Sequence, residues 1–500
     1  MELVRILLIH PECQSTAIGF RLAAMPEPLG LELIAGSVTG HELRILDLRI
    51  SGAPSNPGQP PPSAGTPGAC ETLLGVLAEF RPDMVAVTAL TPEVYAAQEV
   101  LATVKKFSPE IFTVAGGHHA SLMSEDFQLP CVDAIVLGEG EIAFPPLVEA
   151  VASGRSPSAM HKVPNLLWRD ASGHFVKNAI AADLDMDMLA VPRRDLTARY
   201  RNDYFFLFDK PDTSVATGRG CPYRCNFCSV WEFYGGRTRQ MCPRRVMEEV
   251  KAVQTDHMTF VDDNFLMNNK RERAIADMIK AEGIKKRYSM ECRTDSIARH
   301  PELVEQWVKV GLYAVLLGLE GASDKALTSV NKGNTSKIND EAIKILHANG
   351  VIIWGAFIVD PDWVEDDFKE LRDYVTAKDI THTQFTVITP LPGTELYKQK
   401  FNDLLTYDYD CFDTLHAVTA TRLPREEFYQ HFANLYHQTN IGPYYDLVRE
   451  GKLTIKDVKY GKMMLETMTR WQDYVSKDPV LGKARDKSYI PPGAMKFAAR

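Results

Sequence analysis

Positive charge is in short supply in this chain. Its 56 lysines and arginines face 65 aspartates and glutamates, a formal net charge of −9. A phosphate backbone needs a basic face, so this balance argues against a nucleic-acid partner. Cysteine is also sparse. Nine in 500 residues cannot build a disulfide framework, and the count fits a reducing, cytoplasmic setting. Long apolar runs are missing too: no stretch approaches the ~20 residues of a membrane span. The opening MELVRILLIHPE has an apolar run of strand length with Arg5 inside it and no small-residue cleavage site, so no signal peptide is expected. The expectation is a soluble chain, with room for peripheral contact at a membrane. A lipid substrate stays open. The rest of the composition is ordinary for a globular protein, and the length suffices for two or three domains.

Three of the few cysteines are crowded together. Cys221, Cys225 and Cys228 lie in GRGCPYRCNFC, at C-x3-C-x2-C spacing. Three thiolates at this spacing can hold three irons of a [4Fe–4S] cube, leaving the fourth iron open to chelate a small molecule. Most cluster carriers use four cysteines. A zinc knuckle is the alternative, but tetrahedral zinc wants a fourth ligand. Here the nearest thiol is Cys242, and no histidine is close by. Ligand type and spacing favour the cluster.

The first 150 residues alternate strand and helix patterns. Strand-like runs are Val4–Ile9, Leu43–Leu48, Met84–Leu90, Ile111–Ala115 and Ala134–Leu137. Helical patterns fall near Leu29–Val38, Thr72–Phe80, Val94–Lys106 and Ile142–Ala152. Such alternation implies a doubly wound parallel sheet, which binds ligands at the carboxyl ends of its strands. Those ends read Asp47-Leu48-Arg49-Ile50-Ser51-Gly52, Gly116-Gly117-His118-His119 and Gly138-Glu139-Gly140-Glu141. Glycines there allow a bulky ligand close to the backbone. Tight turns alone are the other reading. Residues 52–68, rich in proline, glycine and serine, read as a mobile insertion.

Strand patterns resume at Ser214–Thr217, His257–Val261, Tyr288–Cys292, Ala314–Leu319, Ile352–Ile358 and Thr383–Ile388. Helical patterns at Arg244–Val253, Lys270–Ala281, Pro301–Val310, Ile338–Asn349 and Asp366–Ala377 separate them. These units suggest a partial barrel whose first βα loop carries the cysteines, the usual place for catalytic loops. Beyond about residue 410 the pattern turns helical, at Leu423–Thr439 and Gly461–Tyr474.

These motifs resemble the radical SAM superfamily, in the branch with an N-terminal cobalamin-binding domain. The cysteine motif with Phe227 before its last cysteine carries the likeness. FVDDN at 260–264, ECRTD at 291–295, GLEG at 318–321 with Asn331-Lys332-Gly333, and TPLPGT at 389–394 extend it. The resemblance implies an α/β fold: a Rossmann-like cobalamin-binding sheet, a partial (β/α)6 barrel and a helical C-terminal region. The implied boundaries are 1–155, a connector at 156–205, 206–405 and 406–500. It implies that Cys221, Cys225 and Cys228 ligate the cluster. S-adenosylmethionine (SAM) would be held by Phe227, Arg293, Glu320 and Lys332, with a surface ion pair as the plainer reading of Glu320 and Lys332. Many relatives carry arginine where Lys332 stands, and a point-charge ammonium is less directional.

For cobalamin the resemblance implies contacts from Asp47, Arg49, Gly52, Gly116, Gly117, His118, Gly138 and Glu139. Many cobalamin proteins carry D-x-H-x-x-G, whose histidine ligates cobalt. Here the frame reads Asp47-x-Arg49-x-x-Gly52. Arginine has no lone pair to give, so no histidine ligand is expected from this position. For His118 and His119, a plain loop or core role stands beside a ligand contact.

The implied reaction uses one SAM as a radical source and another as a methyl donor, with methylcobalamin methylating an unactivated carbon. An external one-electron reductant of flavodoxin or ferredoxin type is needed, since no second cluster motif is visible. The aromatic and methionine-rich C-terminal stretch reads mostly as core, with an apolar cavity lining as the other reading. The layout resembles the hopanoid methylases acting at carbon three, hence a hydrophobic substrate. It is less similar to the anaerobic magnesium-porphyrin ester cyclases. A non-enzymatic cobalamin or cluster sensor is the third hypothesis.

Overall fold

Arg5–His10 and Met84–Thr88 are near-continuous apolar runs, the pattern of strands buried on both faces. In the computed structural model they are interior strands of a seven-stranded sheet. The structure describes residues 2–12, 24–51, 67–206, 209–441, 468–482 and 489–498. The sheet order is Glu42–Asp47, Arg5–His10, Met84–Thr88, Phe112–Gly116, Ala134–Val136, Leu166–Arg169, Phe175–Lys177. The first five strands are parallel. Helices Leu29–Ser37, Val94–Phe107 and Gly140–Ala152 follow strand patterns within one or two residues of expectation.

The last two strands depart from a purely parallel sheet. Leu166–Arg169 and Phe175–Lys177 run antiparallel and extend the edge of the first sheet. A short turn permits only antiparallel pairing, so this hairpin, expected within a connector, adds to the sheet instead. Trp168 is buried there and donates to Asn178 Oδ1 at 3.2 Å.

The second sheet has six parallel strands in chain order: Asp212–Val215, His257–Phe260, Arg287–Arg293, Leu312–Glu320, Ile352–Val359 and His382–Val387. Its first and last strands do not pair, so the barrel is open. Alternation divides its faces. Tyr288, Met290 and Cys292 enter the outer core with Trp307 and Phe260. Ser289 and Glu291 therefore face the lumen. Ser289 Oγ meets Thr259 Oγ1 at 2.6 Å, and that hydroxyl donates to Asp212 Oδ2 at 2.8 Å. Phe206 packs on Trp354 at 5.1 Å beside Leu316, and the strand register sets Leu316 and Trp354 level with Glu291.

The segment after the barrel packs back on both sheets. Phe428, Tyr429, Phe432 and Tyr436 of helix Arg425–Tyr436 join the barrel's outer core, while Tyr409 and Phe412 join the core of the first sheet. Most of the described C-terminal aromatics are thus core. Tyr444, Tyr445, Met463 and Met464 lie outside the described residues.

One buried carboxylate ties these parts together. Asp126 accepts from Gly493 N at 2.6 Å and Tyr409 Oη at 2.8 Å, and pairs with His119 Nε2 at 3.0 Å. A Cβ on Gly493 would stand 2.7 Å from Asp126 Oδ2, so only glycine fits. Each buried donor left without an acceptor costs about 1–3 kcal/mol. Asp126→Ala is expected to lower the unfolding free energy by roughly 3–5 kcal/mol in a denaturant titration. A loss below about 1 kcal/mol would show that water replaces the carboxylate.

Candidate functional site

The cysteine loop follows the first barrel strand and is stitched down along its length. Gly220 N donates to Asp263 Oδ2 at 2.8 Å, and Asn331 Nδ2 donates to the Arg224 carbonyl at 2.7 Å. Trp231 Nε1 donates to the Cys225 carbonyl at 2.9 Å, and Leu396 N to the Asn226 carbonyl at 3.0 Å. Gly220 has φ +86°, and a Cβ there would stand 2.0 Å from the Arg237 carbonyl oxygen, so the turn into Cys221 requires glycine.

Arg293 closes the inner side of the loop. Its guanidinium lies 3.8 Å from Cys225 Sγ and stacks 3.5 Å from the Tyr223 ring centroid. Asp295 Oδ1 holds its Nε at 2.9 Å, and the Lys332 carbonyl accepts from Nη2 at 2.7 Å. Tyr223 Oη also donates to Asp295. This set restricts Arg293 to one pose against the sulfur. Phe227 is half-buried in the same loop.

The thiols fit a cluster better than a single ion. Among the described residues, no three His, Cys, Asp or Glu side chains converge closely enough to hold one metal ion. A cube takes its thiolates at separate corners. Burial raises the Cys221 thiol, with Cys225 adding to the shift. Burial likewise pushes Cys228 up to about 12, with Cys225 and Cys221 adding. Burial thus favours the protonated form of Cys221 and Cys228, whereas a metal group that takes them as thiolates would remove that penalty.

Lys332 and Glu320 meet at the mouth of the lumen. Lys332 Nζ donates to Glu320 Oε1 at 2.7 Å. Lys332 is only 5% exposed, so this is not the surface pair that a plain reading of the sequence allows. A Cβ on Gly318 would stand 2.8 Å from both charged groups, so glycine makes room for the pair. Glu320 itself sits at φ +62°, a conformation few non-glycine residues adopt. Deeper in the lumen, burial with Asp263 and Asp262 nearby pushes the Glu291 carboxyl up to about 7.

A cavity opens at the carboxyl edge of the first sheet. Thr88, Gly116, Gly117, Gly138 and Glu139 line it from that sheet, and Arg219, Phe233 and Tyr234 line it from the barrel side. These last three residues flank the cysteine loop on either side. The cavity and the cysteine loop therefore share a wall. Gly138 has φ +66°, and both it and Gly30 line the cavity with open space where a Cβ would stand, so a side chain at either place would enter the cavity.

Several residues expected to contact cobalamin have other work. Asp47 and Arg49 do not line this cavity. Arg49 forks onto Asp47 at 2.9 and 2.6 Å and donates to the Pro26 carbonyl at 3.0 Å, and Tyr204 Oη donates to Asp47 Oδ2 at 3.2 Å. Burial alone would raise the Asp47 carboxyl, but the Arg49 guanidinium holds it below its usual range. Gly52 lies outside the described residues. A Cβ on Gly117 would strike Thr88 Oγ1 at 2.4 Å, so that glycine serves strand packing. His118 is not part of the cavity wall. Its Nε2 meets Ser229 Oγ at 2.9 Å and its ring stacks on Phe233 at 4.7 Å, which joins the first sheet to the cysteine loop. His119 is a core histidine held by Thr91 and Asp126.

Glu139 lines the cavity but is fully engaged. It accepts from Arg219 Nη1 at 2.6 Å, from Arg239 Nη1 and Nη2 at 2.8 and 2.9 Å, and from Leu184 N at 3.1 Å. Arg219 Nη2 also donates to Glu141 Oε1 at 2.5 Å. Glu139 was expected at the ligand, but its pairing with these arginines in a seam of four charged residues went unread in the sequence, as did roles for Arg219, Arg239, Glu141, Tyr223, Asp295, Phe233 and Tyr234. Arg219, Tyr223, Phe233 and Tyr234 flank or interleave the cysteines, and Asp295 lies in ECRTD. Proximity to those motifs was the only signal for them.

Comparison with known proteins shows the two domains and the family. The chain matches the radical SAM superfamily model over residues 215–375 and the B12 binding domain model over 16–148. It is 32% identical over 437 residues to the hopanoid C-3 methylase of Methylococcus capsulatus, covering 85% of this chain and 78% of that protein. It is 27% identical over 386 residues to the anaerobic magnesium-protoporphyrin IX monomethyl ester cyclase of Cereibacter sphaeroides, covering 74% of this chain and 61% of that one. In structure it is similar to the cobalamin-dependent S-adenosylmethionine radical enzyme OxsB, with TM-score 0.68 and 15% identity over 95% of this chain and 72% of that one. The radical S-adenosylmethionine methyltransferase TsrM from Kitasatospora setae gives TM-score 0.66 and 16% identity over 94% of this chain and 99% of that one. At these identities the two structures speak for the fold.

The His118 contact has a pH signature. Burial depresses its imidazolium from 6.5 to about 4. The unfolded chain thus binds the extra proton between those values and the folded chain does not, so stability rises with pH across that window. Lowering the pH from about 6.5 to about 4 should remove up to about 3 kcal/mol of this contribution. In pH-dependent urea unfolding of the apoprotein, His118→Gln is expected to lose that part of the slope. An unchanged slope would show that other groups carry it.

Proposed function

Because the chain belongs to the cobalamin-dependent radical SAM methyltransferases, we propose that it methylates an unactivated carbon of a polycyclic lipid, a hopanoid at carbon three. The observation that supports this most is the shared wall. Arg219, Phe233 and Tyr234 border the cysteine loop and also line the cavity at the first sheet's edge. Two reactive sites that share a wall can serve one substrate carbon. The identity to a hopanoid C-3 methylase supports the substrate class.

The cofactors are a [4Fe–4S] cluster, SAM and cobalamin; when bound, they supply one-electron cleavage of SAM and a transferable methyl group. Cys221, Cys225 and Cys228 would hold the cluster through three corners. Arg293 lays positive charge beside Cys225 Sγ, with Asp295 and Tyr223 fixing the guanidinium. Lys332 and Glu320 offer a cation and an acceptor at the lumen mouth, suited to the carboxylate and ribose hydroxyls of SAM. Phe227 would pack along the nucleotide. On the opposite wall, Gly116, Gly138 and the apolar strand ends would take the corrin. The electron would come from a flavodoxin- or ferredoxin-type donor. The product would leave from a chain in which no described helix is long and apolar enough to cross a membrane.

Reconstituted protein with SAM, cobalamin and reductant should form 5′-deoxyadenosine, and Cys225→Ala should abolish it. Retention of that product in Cys225→Ala would remove the cluster assignment. Lys332→Met should raise the KM for SAM by roughly tenfold or more, the worth of one charge-assisted hydrogen bond, and an unchanged KM would move the carboxylate site elsewhere. Lipid extracts of cells with the protein should contain a triterpenoid heavier by one methylene, absent without it. Product formed with no matching S-adenosylhomocysteine would favour the cyclase-type reaction.

A further inference from the structure

We propose that Arg219 is a positioning residue that sets the spacing between the cobalamin cavity and the cluster loop. This rests on the cofactor sites assigned above and adds a residue to which they assign no role. Arg219 stands two residues before Cys221 and lines the cavity. Its guanidinium bridges two carboxylates of the other sheet, Glu139 at 2.6 Å through Nη1 and Glu141 at 2.5 Å through Nη2. Glu139 is gripped in turn by Arg239, on the strand that pairs antiparallel with Arg219 itself. The register Arg219↔Arg239 places both guanidiniums on one short ribbon, Gly218–Arg219 with Arg239–Gln240.

The geometry gives the seam its function. The two glutamates sit on the turn that opens helix Gly140–Ala152, at the end of strand Ala134–Val136, where the cavity lies. The two arginines sit at the root of the cysteine loop. Arg219 Nη1 and Nη2 therefore span a gap that is otherwise crossed by the cavity. A fork bound to two fixed carboxylates resists both sliding and rotation, which a single point charge does not. The side chains are 12% exposed for Arg219 and 8% for each glutamate, so salt and water screen the contact weakly. His118 on Ser229 makes a second, uncharged tether near the far end of the loop. With both ends of the loop fastened to the first sheet, the distance between the two reactive centres is a property of the chain. Neither ligand has to establish it. In radical transfer a misplacement of about 1 Å matters, because the intermediate must meet its partner before it escapes.

The test uses the reconstituted holoenzyme. A nitroxide is placed on Cys242, the exposed cysteine close to Arg239 in sequence, and its dipolar coupling to bound cob(II)alamin is measured by pulsed electron paramagnetic resonance. Wild type should give one narrow distance distribution. Compared at matched cluster and cobalamin loading, Arg219→Gln should broaden or shift it, and should raise the 5′-deoxyadenosine formed per methyl transferred by fivefold or more. Arg219→Lys, which keeps charge but not the fork, should remain broadened. Glu141→Gln serves as the second variant if Arg219→Gln does not fold, and should show the same broadening. A wild-type distribution with a wild-type product ratio in a folded variant would overturn the proposal. The distance is read without turnover. If wild type cleaves no SAM, the assigned reaction fails while the distance measurement still decides the role of Arg219.

Discussion

Arg219 lies in the grip of Glu139 and Glu141, and the working geometry of this molecule depends on that contact. Two parallel sheets each present functional loops at their carboxyl edge, because that is where crossover connections leave the backbone free. One edge alone makes a pocket. Here the two edges face each other, and the buried charges at their junction hold them in register. Removing one partner of a buried pair typically costs about 3–5 kcal/mol, far more than a surface pair contributes. The seam therefore gives a defined geometry as well as adhesion.

The same economy of contacts runs through the cysteine loop. Its carbonyls and amides are claimed by Asn331, Trp231, Leu396 and Asp263, so the loop has little freedom. Arg293 is fixed by Asp295, Tyr223 and the Lys332 carbonyl before it meets Cys225. Such preorganisation fixes positive charge beside the Cys225 sulfur. The arrangement also explains why buried carboxylates crowd the site: each arginine needs an anion to be buried at all.

Some residues carry a different burden from the one their motif suggests. Asp47 and Arg49 keep the spacing of a cobalt-ligand frame, yet they close on one another and brace the strand end together with Tyr204. Glu139 lies in a glycine-rich turn of the kind that cradles ligands, and its carboxylate is taken by two arginines. His118 follows two glycines and reaches Ser229. In each case the backbone position was legible and the partner was not.

The sequence by itself determined the local features. Periodicity of two and of 3.6 located every barrel strand and most helices to within a few residues, because side-chain alternation is a property of neighbours in the chain. The C-x3-C-x2-C spacing pointed to a cluster loop, and Arg49 stands where a ligating histidine would in the D-x-H-x-x-G frame, since the chemistry of a single side chain needs no fold to be read. Tertiary structure alone decided which charges meet. Arg219 and Glu139 are 80 residues apart, His118 and Ser229 111, Asp126 and Gly493 367. Those pairings follow from how two sheets and a C-terminal segment pack, and packing is settled by the sum of many weak apolar contacts that no local pattern records.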